Sequence, residues 1–317
     1  NYSRGEELIT PQFDQFYEDL ELEDQIRAAT TEQAKDSILN VNTSYTKRQS
    51  FNVIGLRKER TGDAKPMPYD VENFSFSGTY NQTDHRDFEI KESLDQSVRL
   101  GGTYDFSFQP KEVQPLKNVK LLGKSKYFDL LKDFNFNLLP SSVTVSSNIN
   151  RQYNEQTFRD ITLGPNDIGT PALIQRNFLF DWQYGINHNL TKSLNFSFTS
   201  ANNRIVKNFI DEDGQVINSI DLWSGFFDVG DPNFHSQQLQ VNYELPINKI
   251  PLFKFIRTTY SYTGDFQWTK ASEALRTLEG IPDQGNTIQN ANVHTLNGSL
   301  DMNTFYRYIG LEKKRPG

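Results

Sequence analysis

The sequence predicts an all-β protein. It is expected to form the antiparallel wall of a transmembrane β-barrel, about ten to twelve long strands preceded by a short helical segment, and the pattern leaves open whether those strands close on themselves. Three observations predict this. Apolar and polar residues alternate strictly over many segments after residue 37. The longest alternations persist for 11 residues, whereas soluble strands average about 5–6. The connectors between these segments also alternate in kind along the chain.

Composition narrows the class further. The chain has 317 residues and is only 36% hydrophobic, yet 13% aromatic, with a mean hydropathy of -0.65. Disordered chains are poor in aromatics, so a folded chain is expected. Arg and Lys total 33 against 40 Asp and Glu, a net charge of -7, which gives a nucleic-acid partner no electrostatic support. Cysteine is absent, which excludes disulfides, thiolate zinc sites and a Cys nucleophile. No apolar run approaches the roughly 18 residues of a spanning helix. A closed barrel is then the remaining way to cross a bilayer.

The elements follow in order. Residues 1–36 read as an acidic helical segment. Thr10 offers an N-cap, Pro11 suits the first helical position, and Phe13, Phe16, Tyr17 and Leu20 make an apolar stripe. This is expected to be a surface helix or plug at a domain edge, with a partner-binding helix as the alternative. Residues 37–310 carry the strands and residues 311–317 form a basic coil tail; both ends read as cut points in a longer chain.

Within 37–310 the period is 2. Val98, Leu100, Gly102, Tyr104, Phe106 and Phe108 fall on one face; Arg99, Gly101, Thr103, Asp105, Ser107 and Gln109 fall on the other. Phe178, Phe180, Trp182, Tyr184, Ile186 and His188 repeat the pattern against Asp181, Gln183, Gly185 and Asn187. Tyr260, Tyr262, Gly264, Phe266 and Trp268 do so against Arg257, Thr259, Ser261, Thr263, Asp265 and Gln267. Shorter copies run through Tyr45–Val53, Phe74–Tyr80, Phe134–Leu138, Val143–Ile149, Leu194–Phe198, Leu239–Leu245 and Leu296–Met302.

Length and polarity favour a membrane. Eleven residues at about 3.3 Å each, tilted by about 45°, project to roughly 25 Å, the height of an outer-membrane apolar band. The polar face is therefore expected to line a lumen, through Arg99, Thr103, Asp105, Ser107, Asp181, Gln183, Asn187, Arg257, Thr259, Ser261, Thr263, Asp265 and Gln267. The other face is expected to meet lipid or a partner, through Leu100, Tyr104, Phe106, Phe108, Phe178, Phe180, Trp182, Tyr184, Tyr260, Tyr262, Phe266 and Trp268. Connectors at 84–97, 152–175, 208–235 and 270–290 are Gly-, Asp- and Asn-rich and are assigned outside. The tight 189–192 and the Pro- and Lys-bearing 116–131 and 245–253 are assigned to the periplasm.

Little else suggests chemistry. His85, His188, His235 and His294 have no ligand spacing, and Asp211–Gly214 resembles half a calcium loop without its closing Glu. Neither a metal nor another cofactor is expected. The aromatic stretch 223–232, punctuated by Gly225 and Gly230, reads as a loop packed over a rim, with a client- or partner-binding loop as the alternative. No catalytic frame appears, so an enzyme is not expected.

Three stretches carry a resemblance. They are KDFNFNLLPSS at 132–142 running into NRQYNE at 150–155; YELPINKIP at 243–251 with YSYTGDF at 260–266; and PMPYDVENF at 66–74. Together they resemble the SprA/Sov family, the outer-membrane translocon of type IX secretion, which in gliding bacteria also supports motility. The resemblance implies that this chain is a fraction of a very large barrel conducting folded client proteins. It further implies a PorV-like shuttle barrel at a lateral opening and a periplasmic plug protein. It implies no catalytic residue. The rivals are a self-contained porin or nutrient transporter and a soluble β-sandwich adhesin.

Overall fold

The computed structural model describes residues 1–63, 65–116, 134–160, 169–211, 214–272, 282 and 285–311. The 116–131 connector (beyond Leu116 itself), Lys132 and Asp133, the Glu212–Asp213 pair and the tail at 312–317 lie outside them.

Among the described residues the chain forms twelve strands, ten of 8 to 18 residues and two of 2 residues. They are β1 (Tyr2–Ile9), β2 (Ser44–Arg57), β3 (Phe74–Arg86), β4 (Ile90–Ser107), β5 (Glu112–Val113), β6 (Phe136–Asn137), β7 (Ser142–Phe158), β8 (Leu173–Asn189), β9 (Leu194–Ile205), β10 (Asp231–Leu245), β11 (Ile256–Thr269) and β12 (Thr287–Leu300). Among the described residues, ten of them form one sheet in the order β1-β2-β3-β4-β7-β8-β9-β10-β11-β12, every neighbour antiparallel. The sheet is open, with β1 and β12 as its edges. The apolar run at Phe134–Leu138 yields only the two-residue β6, which pairs with β5 apart from the main sheet.

The N-terminal segment corrects the expectation. Residues 2–9 are not helical but form β1, paired along its length with β2. Its alternation is diluted by Arg4 and Glu6, so pairing with β2 rather than local pattern decides its state. Residues 11–20 form a turn rather than a helix. The Asp14 carboxylate accepts the Phe16 and Tyr17 amides at 2.8 Å each, while the Asp14 amide donates to the Leu20 carbonyl at 2.9 Å. This local capping competes with helix formation. The helices come later, as α1 (Leu22–Ala28) and α2 (Glu32–Asn42), the latter capped by Thr31 accepting from the Ala34 amide at 3.2 Å. Asn42 then donates to the buried Asp14 at 3.0 Å, and its carbonyl oxygen accepts from the Gln15 amide at 2.6 Å, which ties α2 to the turn.

Two further boundaries move. The supposed connector 84–97 is mostly strand, with the Asp87–Glu89 hairpin turn held by Asp87 accepting from the Glu89 and Ile90 amides at 2.9 and 2.7 Å. Met302 leaves the strand pattern to begin α3 (Met302–Tyr308), capped by Asp301 and packed through Phe305 on Phe255 at 5.0 Å.

Strand alternation places the connectors in two groups. The strand ends that flank 10–43, 87–89, 159–172, 206–230 and 270–286 lie at one end of the sheet. Those that flank 58–73, 108–141, 190–193 and 246–255 lie at the other. The helices α1 and α2 thus sit at the same end as the 206–230 connector.

Asn42→Ala removes a donor from the buried Asp14 and orphans the Gln15 amide. It is expected to cost about 1–3 kcal/mol locally. Hydrogen exchange is expected to speed at the amides of Gln15, Phe16 and Tyr17 and to stay unchanged in β7 and β8.

Candidate functional site

Residues directly opposite in an antiparallel pair point to the same side. The register therefore sorts every side chain of the sheet. One row runs Thr103, Ser146, Gln183, Ala201, Ser236, Gln267 across six strands. The next runs Asp105, Thr144, Gly185, Thr199, Gln238, Asp265. Ser107 continues through Ser142, Asn187, Ser197 and Gln240 to Thr263. Arg99 opposes Asn150, Asp181 opposes Asn148, Ser261 opposes Asn242, Thr259 opposes Glu244 and Arg257 opposes Ser299. All thirteen polar residues singled out from the sequence thus share one face.

That face is stitched by side-chain hydrogen bonds between strands. Thr79 donates to Asn52 at 3.1 Å, Asn203 to Asp181 at 2.7 Å, Gln238 to Asp265 at 2.8 Å and Ser261 to Asn242 at 2.8 Å. Asn81 donates to Ser97 at 3.3 Å and Asn187 to Ser142 at 3.0 Å. Most of this surface is polar, with Leu179, Ile205, Phe234 and Val293 as apolar exceptions. Asp301, just past β12, caps α3.

The opposite face is mainly apolar. Tyr104, Val145 and Tyr184 form one row; Phe106, Val143, Ile186, Phe198 and Leu239 form another. Leu100, Ile149 and Phe180 lie together, as do Tyr260 with Tyr243 and Tyr262 with Val241 and Phe196. Trp268 opposes His235, Phe266 opposes Gln237, and Asn202 opposes both His235 and Trp182. Phe108 lies just past β4 against Phe106, ring centroids 4.7 Å apart. Trp182 stacks on Tyr184 at 5.6 Å. Much of this face is open, with Phe76 55% and Leu56 64% exposed. Gly78 and Gly102 leave a groove of about 410 Å³ between Phe51, Leu56, Phe76, Leu100 and Ile149.

One part of this face is covered. The 206–230 connector folds back over it, and Val206 and Leu222 pack against Val98, Tyr153 and Phe178 in the buried cluster. Phe178, expected to face lipid or a partner, is instead only 1% exposed beneath this connector. Phe106 is buried as well. Of the 223–232 stretch expected to pack over a rim, Phe226 packs on this cluster, Trp223, Phe227 and Val229 stay exposed, and residues 231–232 begin β10.

Three arginines hold the connector, and the pattern reading missed their role. Arg151, Arg176 and Arg204 all sit at apolar-face positions of β7, β8 and β9. Arg151 donates to the carbonyls of Leu222, Ser224 and Gly225, its guanidinium lying between Phe178 at 4.6 Å and Phe226 at 5.3 Å. Arg176 donates to Ile220 at 2.9 Å and Asn218 at 3.0 Å, over the rings of Tyr153 and Phe209. Arg204 donates to Val229 at 2.9 Å and Gly230 at 2.6 Å. The signal was present: a charge at a position where alternation calls for an apolar side chain.

Two glycines shape the connector. Gly225 has φ +54° and a Cβ there would meet the Asp228 carboxylate and Asn208. Gly230 has φ +58° and a Cβ would run into the Ile205 carbonyl. The Ser224 hydroxyl, with the Ser224 and Trp223 amides, holds the Asp221 carboxyl below the usual carboxylate range, against a smaller opposing effect of burial.

Among the described residues, no group of three His, Asp or Glu side chains converges as metal ligands. His85 sits between Thr46 and Asp87, His188 meets the Asn137 carbonyl, His235 packs on Phe266 and His294 bonds Tyr260. Asp211 accepts the Gln215 amide at 2.7 Å within its turn. No family model matches the chain, and no curated protein matches it either.

Arg151→Met keeps the apolar packing but leaves buried carbonyls unpaired, at about 1–3 kcal/mol for each one stranded. Exchange of the Leu222 and Trp223 amides is expected to speed by about tenfold or more. The β11 amides are expected to be unaffected.

Proposed function

We propose that the chain is an arc of the wall of an outer-membrane protein-conducting barrel of the SprA/Sov kind, the translocon of type IX secretion. The observation that carries this is the division of one open ten-stranded sheet into a predominantly polar, cross-bonded face and a predominantly apolar, largely uncovered face. An exposed apolar surface this wide calls for lipid or a partner. Each large apolar side chain moved from water contributes about 1.5–3 kcal/mol. The long strands suit a spanning wall. The open edges suit a wider barrel, since an unpaired edge in hydrocarbon would strand backbone groups. Three stretches of sequence point to the same family.

On this reading the polar face lines the lumen. Asn, Gln, Ser and Thr side chains already paired across strands offer a folded client only weak, water-mediated contacts. Charges of both signs, such as Arg99 and Asp105, avoid a field that would trap a charged client. The partners are the rest of the same barrel, outer-membrane lipid, a PorV-like shuttle barrel, a periplasmic plug protein and the secreted clients. No step of bond chemistry is proposed. The small-porin rival would need β1 to meet β12, and these are separate edges. The sandwich rival needs a second sheet over the apolar face, and among the described residues only the 206–230 connector covers part of it.

Two experiments test the proposal. An antibody to residues 211–231, used on a denaturing gel of the outer-membrane fraction, is expected to find a band several times heavier than 36.6 kDa. A band at that mass in the membrane would favour the small porin, and no band in that fraction would favour the adhesin. Separately, Thr259→Leu, Ser261→Leu and Thr263→Leu together are expected to impair client secretion while leaving the barrel inserted. Normal secretion by that variant would contradict the lumen assignment.

A further inference from the structure

The 206–230 connector is built differently from a loop that stands in water. Three arginines from the apolar face saturate seven of its carbonyls, at Asn218, Ile220, Leu222, Ser224, Gly225, Val229 and Gly230. In water those carbonyls would be solvated and would need no such partners. At the edge of hydrocarbon they must be satisfied from within, because irregular backbone is tolerated at membrane depth only when its polar groups are paired. The connector also turns apolar side chains outward. Phe227 is 81% exposed, with Trp223 and Val229 at 50% each. These rings are not loose: Trp223 packs on Tyr80 at 5.7 Å and on Phe226 at 5.5 Å, and Phe226 meets Phe227 edge-on at 5.3 Å. Phe226 in turn covers the Arg151 guanidinium.

From these observations we propose that the 206–230 connector is a membrane-interface anchor. It lies on the lipid side of the wall, with Trp223, Phe227 and Val229 seated at the boundary between lipid headgroups and acyl chains. Trp223, with an apolar ring and a polar N–H, favours that boundary, and Phe227 and Val229 add apolar contact on its acyl side. Asp221 and Asp228 are exposed in the same stretch. Their charges belong in the hydrated layer, which keeps the anchor shallow. The occupant is lipid rather than a protein, because the surface is continuous with the open apolar face of β3 and β4 below it. The anchor would fix the vertical position of the wall at β3, β4, β7 and β8, the strands it covers. The inference rests on the membrane-wall reading, and the test separates the two.

The full polypeptide carrying this segment would receive p-benzoylphenylalanine at Phe227, at Tyr184 on the open apolar face, or at Gln183 on the polar face. Cells would be grown with labelled fatty acids and irradiated, and the acyl label bound to the protein would be measured. The expected result is label at Phe227 and Tyr184, each several-fold above Gln183. Arg151→Met is expected to lower the label at Phe227 and to leave that at Tyr184 unchanged. Label at Tyr184 with none at Phe227 would overturn the anchor and keep the wall. A protein adduct at Phe227 would overturn the lipid assignment in favour of a partner. No label at either position would overturn the wall and the anchor together.

Discussion

The antiparallel ladder is the constraint on which the rest of the molecule depends. Opposed residues share a side, so parity set on one strand is handed to the next. A slip of one residue anywhere would exchange the polar and apolar faces from that strand onward. The ladder tolerates irregularity only where parity is restored. Between Val53 and Leu56 the register shifts by one residue, and Gly55, at φ +64°, supplies the conformation that returns Leu56 to the face of Val53. The cross-strand pairs Asn203–Asp181 and Gln238–Asp265 reinforce the same register from the polar side.

The arginines show how a charge lives on an apolar face. Arg151 is 1% exposed and has no carboxylate bonded to it. Its two Nη groups donate to peptide carbonyls while its buried Nε is left without a partner, and its flat faces meet aromatic rings, a geometry that a planar guanidinium offers and an ammonium does not. The same groups satisfy the connector, so strand charge and loop backbone solve each other's desolvation. Separately, each would be a buried unpaired polar group; together they bind the connector into the sheet.

Much of this was legible in the sequence. Period-2 alternation placed most of the long strands and sorted thirteen polar residues onto one face. Gly225 and Gly230 marked a loop packed at a rim. Other parts were not legible. At residues 11–20 the stripe Phe13, Phe16, Tyr17, Leu20 has helical spacing, but Asp14 closes a turn that depends on Asn42, 28 residues away. β1 reads as charged and helix-friendly because its partner strand supplies the order that its own pattern lacks.

The sequence by itself determined the strands, their two faces and the polarity of each, because side-chain alternation is a local property of an extended chain. Only the tertiary structure decided which strands are neighbours, that β1 joins the sheet, that the sheet is open among the described residues, and that Arg151, Arg176 and Arg204 meet the 206–230 connector. Those features arise from pairing and packing between residues far apart in the chain. The carbonyls that an arginine will meet carry no side-chain identity for the sequence to display.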